Sequence, residues 1–247
     1  MAFTDQTAFD VRCEWGAEAV VALSGCRTFI VVDVLSFTTC VSVASRRGVE
    51  VLPYPTTSVG AEEHASRHGA ALAGPRGAGY SLSPASLLSA PIGMRIVLPS
   101  PNGATIALEA RKHGHVLAGC LRNATAVARR AMTLGGPFAV LPAGERWQDG
   151  RLRVAVEDLI GAGAIAARLP GTVSPEAAAA VATFRSAAPR LTETLLSSAS
   201  GRELVERGFP ADVHLAAELD ADRVAPELVN GRFEVSHAGP RHPADQL

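Results

Sequence analysis

Four acidic residues stand where chemistry is possible: Asp33 after the apolar run Thr28 to Val32, Glu145 in the turn Gly144-Glu145-Arg146-Trp147, and the adjacent pair Glu157 and Asp158. Carboxylates at strand ends and helix starts are the hard oxygen ligands that Mg²⁺ prefers, with water and substrate phosphate completing its shell. Two further turns, Ser100-Pro101-Asn102-Gly103 and Cys120-Leu121-Arg122-Asn123, place small or amide residues at expected helix N-termini. Free N–H groups and the helix dipole attract anions there. Arg76, Arg122 and Arg146 lie in loops, where a guanidinium can grip phosphate or carboxylate through two parallel bonds. The combination points to a site for a divalent cation beside a site for phosphate or another small anion. Each residue also has a plain role: Asp33 as a turn acceptor, Ser100, Asn102 and Asn123 as helix caps, any one arginine as a surface charge.

Adjacent helical residues point about 100° apart, so Glu157 and Asp158 face one ion together only at a distorted helix end. Glu157, bordering the apolar face, is the better ligand; Asp158 is either a ligand or a first-turn charge. The spacing from Cys40 to Arg46 matches a thiolate phosphatase loop, but the intervening Val-Ser-Val-Ala-Ser has no glycine and reads as helix. Cys120 lies at a helix start without a histidine in the converging turns, and is taken as a pocket-lining residue. No Walker A sequence, HExxH or paired-cysteine site occurs.

These residues need a frame. Thr28 to Val32 shows no polar alternation, as expected of a central strand covered on both faces, with Ser36, Thr38 and Thr39 starting a helix to about Arg47. Similar strand, turn and helix units follow at Arg95 to Leu98, His115 to Ala118 and Phe138 to Leu141. In a parallel sheet their turns share one edge with Asp33 and converge on one crevice. Leu152 onward reads as a helix with Gly161 and Gly163 in close packing, Ser174-Pro175 caps another, and Asn230-Gly231 turns a closing hairpin. The fold expected is a three-layer α/β domain over residues 1–236, mostly parallel, with helices on both faces and a helical C-terminal part. Residues 237–247 read as a disordered tail.

The 247 residues are 47% hydrophobic, enough for a substantial core, and 23 basic against 24 acidic residues leave a net charge of −1. This balance gives no electrostatic case for nucleic acid, and no stretch is long and apolar enough for a membrane span. The partner expected is a small anionic substrate; a homodimer is compatible with it. Scattered cysteines and no signal-peptide pattern point to the cytoplasm.

The ordered series VVDVLSFTTC, GAGYSLSPASL, VLPSPNGAT, AGCLRNATAVA, PAGERWQDGRLRVAVEDLIGAGAI and SGRELVERGFPADVHLAAELDADRVAPEL resembles the 2-phosphosulfolactate phosphatase family over nearly the whole chain. The resemblance implies a Mg²⁺-dependent α/β phosphohydrolase whose product lies on a route to coenzyme M. It carries Asp33, Asn102, Gly103, Asn123, Glu157 and Asp158 onto the family's motifs. Two positions depart: Ser36 stands where members read Arg, and Pro75-Arg76 where they read an acidic-Arg pair. The alternatives are a phosphatase with a different small substrate and a non-catalytic binding domain for a phosphorylated acid.

Overall fold

The computed structural model describes residues 3–55 and 60–235. The tail expected from His237 lies outside them. β2 (Thr28–Val32) runs parallel between β6 (His115–Gly119) and β7 (Phe138–Pro142), and each of its five residues is buried. Its side chains alternate between two cores, Ile30 and Val32 in one, Phe29 and Val31 in the other. With both faces covered by apolar packing, no position is left for a polar alternation. β1 (Val11–Cys13) extends this group beside β7. A second parallel group comprises β3 (Glu50–Tyr54), β5 (Arg95–Pro99) and β4 (Ala71–Leu72).

The hairpin of β10 (Pro226–Val229) and β11 (Arg232–Val235) turns at Asn230 and Gly231, with φ of 51° and 84°. Positive φ at both central residues is what a tight hairpin matching the strand twist needs. The hairpin does not close an edge. It stands inside the sheet, in the order β1-β7-β2-β6-β10-β11-β3-β5-β4. Because β10 is antiparallel to β6 and β11 to β3, the β3 group runs opposite to the β2 group along the sheet. The four turns therefore do not share one edge of a parallel sheet, which corrects the sequence-based expectation. The start of α5, which follows β5, nevertheless reaches the turn after β2, where Gly103 N–H donates to Asp33.

One face carries α1 (Glu18–Ala22), α2 (Phe37–Arg46) and α5 (Gly103–Ala110), whose apolar residues join the core of Phe29 and Val31. The other carries α6 (Ala124–Leu134), α7 (Val156–Ala166) and α8 (Pro175–Ala187), with α9 (Leu191–Ser197), α10 (Ala199–Glu206) and α11 (Pro210–Ala216) extending that layer. The short α3 (Ala61–Arg67) packs on β4 and β5 of the second group, and α4 (Pro84–Leu87) on α2 and α11. The result is the three-layer α/β fold expected. Ser174 caps α8 by accepting from Ala177 N–H. Gly161 faces Val32 and Val34, and Gly163 faces the Ala180 carbonyl, so closely that a Cβ at either would clash.

Leu152 does not begin the helix. β8 (Glu145–Arg146) and β9 (Leu152–Arg153) form a separate two-stranded ribbon, and α7 starts at Val156. The alternation Arg151-Leu152-Arg153-Val154 has strand period, and it outweighs the helical spacing before Val156. No helix among the described residues is long and apolar enough to cross a membrane.

Candidate active site

Asp33 follows β2 directly and is buried. Its backbone is locked by Thr38, whose hydroxyl accepts from Asp33 N–H at 2.9 Å and donates to the Asp33 carbonyl at 2.8 Å. The side chain turns onto two helix starts: Oδ1 accepts from Phe37 N–H of α2 and Oδ2 from Gly103 N–H of α5, each at 3.0 Å. Both are free donors of a first helical turn, with the positive end of the dipole behind them. Ser36, Thr38 and Thr39 were expected to cap α2, but Thr38 and Thr39 bond back to the Asp33 and Val34 carbonyls and Ser36 makes no side-chain cap. Their hydroxyls fix the turn instead.

Gly103 has a steric role as well. A Cβ there would lie 2.5 Å from Phe37 Cδ1 and 2.7 Å from Asp33 Oδ2, so only glycine lets α5 donate to the carboxylate. The preceding Asn102 donates from Nδ2 to Glu145 Oε2 at 3.1 Å, which joins the turn after β5 to the ribbon after β7. Asp158 closes the arrangement from α7: Oδ1 accepts from Val34 N–H at 2.7 Å and Oδ2 from Gly144 N–H at 2.8 Å. It braces the turns after β2 and β7 against each other. Glu157, also buried, adds its charge beside Asp33, Glu145 and Asp158.

The electrostatics follow from this crowding. Burial pushes the Asp33 carboxyl up, Glu157 adds to the rise, and the N–H bonds of Phe37 and Gly103 and the charge of Arg76 oppose it. Burial, then the charge of Asp33, raises Glu145 to about 7, against the Asn102 bond and the charge of Arg153. Asp158 is pushed well above the usual carboxylate range by burial and then by Asp33 and Glu157. A cluster of this sign is an attractive place for a cation. Among the described residues, however, no three Asp, Glu, His or Cys side chains are grouped so as to enclose an ion by themselves.

The arginines separate. Arg76 donates to Asp212 at 2.5 Å and to Ser36 Oγ at 3.0 Å, which holds it beside the Asp33 turn. Arg146, exposed and donating to the Gly150 carbonyl at 2.9 Å, lines a cleft of about 240 Å³ with Gly16, Asn102, Thr105, Ala143 and Leu152. Arg122 is fully buried and paired through two nitrogens with Asp222, at 2.8 and 3.1 Å, and with Glu218 at 2.5 Å. Its charge ties the turn after β6 to the segment after α11, so it is not available to a ligand. Ser100 is buried, with its N–H on the Tyr54 carbonyl. Cys120 and Asn123 are fully buried and bonded to one another, Asn123 Oδ1 accepting from Cys120 N–H at 2.9 Å while its Nδ2 donates to the Ala118 carbonyl. Burial raises the Cys120 thiol to about 11. The structure thus brings together Asp33, Asn102, Gly103, Glu145, Glu157 and Asp158, and it leaves Cys120 and Asn123 within their own turn.

Sequence reasoning missed Arg153. It stands opposite Glu145 in the ribbon and donates to Ser200 Oγ at 3.1 Å. The strand alternation around it was the available signal.

A cluster of buried carboxylates at strand ends and helix starts is where an α/β sheet places a ligand site. A family model described as 2-phosphosulpholactate phosphatase matches residues 18–231. The chain belongs to that family, and its class is phosphoric monoester hydrolase. It is 34% identical over 215 residues to a probable 2-phosphosulfolactate phosphatase of Deinococcus radiodurans, covering 82% of this chain and 88% of the relative. It is 31% identical over 212 residues to the 2-phosphosulfolactate phosphatase of Methanothermobacter thermautotrophicus, covering 83% and 88%. A probable 2-phosphosulfolactate phosphatase of Carboxydothermus hydrogenoformans is 30% identical over 223 residues, covering 85% and 90%.

Proposed function

We propose that this protein hydrolyses the phosphate monoester of a small hydroxy acid, 2-phosphosulfolactate or a close relative, with Mg²⁺ bound. The observation that carries the proposal is Asp33 buried against the starts of α2 and α5 and linked through Gly103 and Asn102 to Glu145, with the charge of Glu157 bearing on both. Mg²⁺ suits this donor set: the oxygens are hard, the crowded charges call for a cation, and this ion characteristically keeps water and substrate phosphate in its shell. Asp33 and Glu157 would hold it, Asp33 through a lone pair left over on an oxygen that already accepts an N–H, while Asp158, whose two oxygens tie the Val34 and Gly144 turns together, is kept as the brace. Bound there, the ion supplies charge neutralisation at phosphoryl oxygens.

The residues divide the remaining work. Asn102 and the start of α5 border the phosphate, and Arg76 adds positive charge. Glu145 takes a proton from the attacking water as the new bond to phosphorus forms. The bond from phosphorus to the ester oxygen breaks, and that oxygen takes up the proton held by Glu145, relayed through water, to leave as the free hydroxy acid. Both Asp33 oxygens accept backbone N–H groups, which lowers their nucleophilicity and favours water over Asp33 as the attacker. A cytoplasmic setting is part of this reading, supported by four free cysteines.

Phosphate release from a panel of phospho-hydroxy acids, with Mg²⁺ and with chelator, tests the proposal. Release from 2-phosphosulfolactate that requires Mg²⁺ and falls at least tenfold in Asp33→Asn is expected. Release from another phospho-acid alone would select the different-substrate reading, which Ser36 favours because the family resemblance implies an arginine where this hydroxyl meets Arg76. Binding without release from any would select the binding domain.

A further inference from the structure

The ribbon that carries Glu145 presents a cation on the same face. β8 and β9 pair with Glu145 directly opposite Arg153, and directly opposed residues of an antiparallel pair project to one side. The two charges nevertheless do not bond each other. Glu145 receives Asn102, and Arg153 donates to Ser200 Oγ at 3.1 Å, on the first turn of α10. The Arg153 guanidinium also lies over the Trp147 ring, 5.9 Å from its centroid. It is therefore fixed from two sides, by a hydroxyl and an aromatic face, while most of its five N–H donors have no protein acceptor among the described residues. An arginine restrained in this way at the rim of a carboxylate cluster has its donors set out for an incoming anion.

Which end of the substrate it meets follows from the division of cations. Arg76 is the guanidinium whose charge bears on Asp33, and Arg153 the one whose charge bears on Glu145. From Asp33 the order of contacts runs through Gly103 and Asn102 to Glu145, with Arg153 beyond it. We propose that Arg153, positioned by Ser200 and Trp147, binds the carboxylate or sulfonate of the substrate remote from its phosphate, and thereby selects phospho-acids over simple phosphate esters. Arg146 is the weaker candidate for this contact: it is exposed and held by the Gly150 carbonyl on the cleft side of the ribbon.

The inference rests on the phosphatase reading, and the experiment separates the two. Arg153→Ala, Arg153→Lys, Ser200→Ala and Arg146→Ala are compared with wild type in steady-state hydrolysis of 2-phosphosulfolactate. Calorimetric binding of the product acid, sulfolactate, and of inorganic phosphate is measured alongside. A charged hydrogen bond made equally in the ground and transition states acts on KM, by roughly 10- to 150-fold. The expected result is a KM raised in that range in Arg153→Ala, with kcat within about threefold. Sulfolactate binding should weaken in parallel while phosphate binding stays unchanged. Arg153→Lys, which keeps the charge and loses the fork, should fall between, and it carries the test if the alanine variant does not fold. Ser200→Ala should raise KM less than Arg153→Ala does, and Arg146→Ala less than twofold. An unchanged KM and unchanged sulfolactate binding in both Arg153 variants would overturn the inference, as would weakened phosphate binding with sulfolactate unaffected. If wild type hydrolyses no phospho-acid, the phosphatase reading fails, and the Arg153 assignment is then decided by the sulfolactate calorimetry alone.

Discussion

Replacing Gly103 by alanine tests the site at its tightest point. The added methyl would sit 2.5 Å from Phe37 Cδ1 and 2.7 Å from Asp33 Oδ2, with the Asp33 Cβ at 3.0 Å. None of these neighbours can swing clear: Phe37 is fully buried, and Asp33 is held by Phe37 N–H and, through its backbone, by Thr38. Overpacking of this kind costs about 1–3 kcal/mol. Moving the carboxylate away from Gly103 N–H forfeits a charge-assisted bond worth about 1.5–3 kcal/mol. Alanine's better helix propensity offsets at most about 1 kcal/mol. We therefore expect a net loss of about 1.5–6 kcal/mol in urea unfolding, read as a lower midpoint at unchanged slope. Activity should suffer more than stability, because displacement of a reacting group by about 1 Å costs on the order of 100-fold in rate. At a temperature where the variant is fully folded, kcat should fall by about that factor. A variant within 0.5 kcal/mol (roughly) of wild type with full activity would refute the argument, since Asp33 would then not depend on the start of α5.

Three other perturbations follow from the same geometry. Asp158→Asn keeps the size of the brace but offers one oxygen where two N–H groups need acceptors, so urea unfolding should show a loss of about 1–3 kcal/mol; an unchanged midpoint would mean that Val34 and Gly144 N–H have other acceptors. For Glu145, the pKa raised to about 7 in the folded state, against an ordinary 4.5, means that the protein favours the protonated form. Stability is lost as pH rises from about 4.5 to about 7, so Glu145→Gln measured without divalent metal should be more stable than wild type above pH 7 (about), with the gain vanishing near pH 4.5. A gain that does not vary with pH would place the effect in packing. All four thiols are buried, and burial raises Cys13 to about 12 and Cys26 and Cys120 to about 11. A disulfide reagent at mildly alkaline pH should accordingly find almost no reactive thiol in the native protein and four after unfolding; rapid native labelling of Cys120 would contradict its placement.

Local pattern alone determined much of this protein. The unbroken apolar run Thr28 to Val32, with Asp33 after it and hydroxyls beyond, defines a buried strand, a carboxylate at its end and a helix start. Ser174-Pro175 and Asn230-Gly231 define their cap and turn in the same way, because caps, turns and strand periodicity depend on residues a few positions apart. Even the candidate acids were legible as types, since buried carboxylates need a reason. Their roles were not. Asp158 and Glu157 are neighbours in sequence, yet one braces Val34 and Gly144 while the other faces the cluster, a division set by how α7 docks against β2. Likewise Arg122 and Arg76 both read as loop cations, and only the placement of Asp222 and Glu218 turns the first into a structural tie. The insertion of the β10–β11 hairpin between two parallel groups, and the approach of Gly103 to Asp33 across it, belong to tertiary structure alone. Strand partners and helix docking are chosen by summed burial over residues 70 to 180 positions apart, as in the Asp33–Gly103 and Ser42–Asp222 contacts, and no local periodicity records that sum.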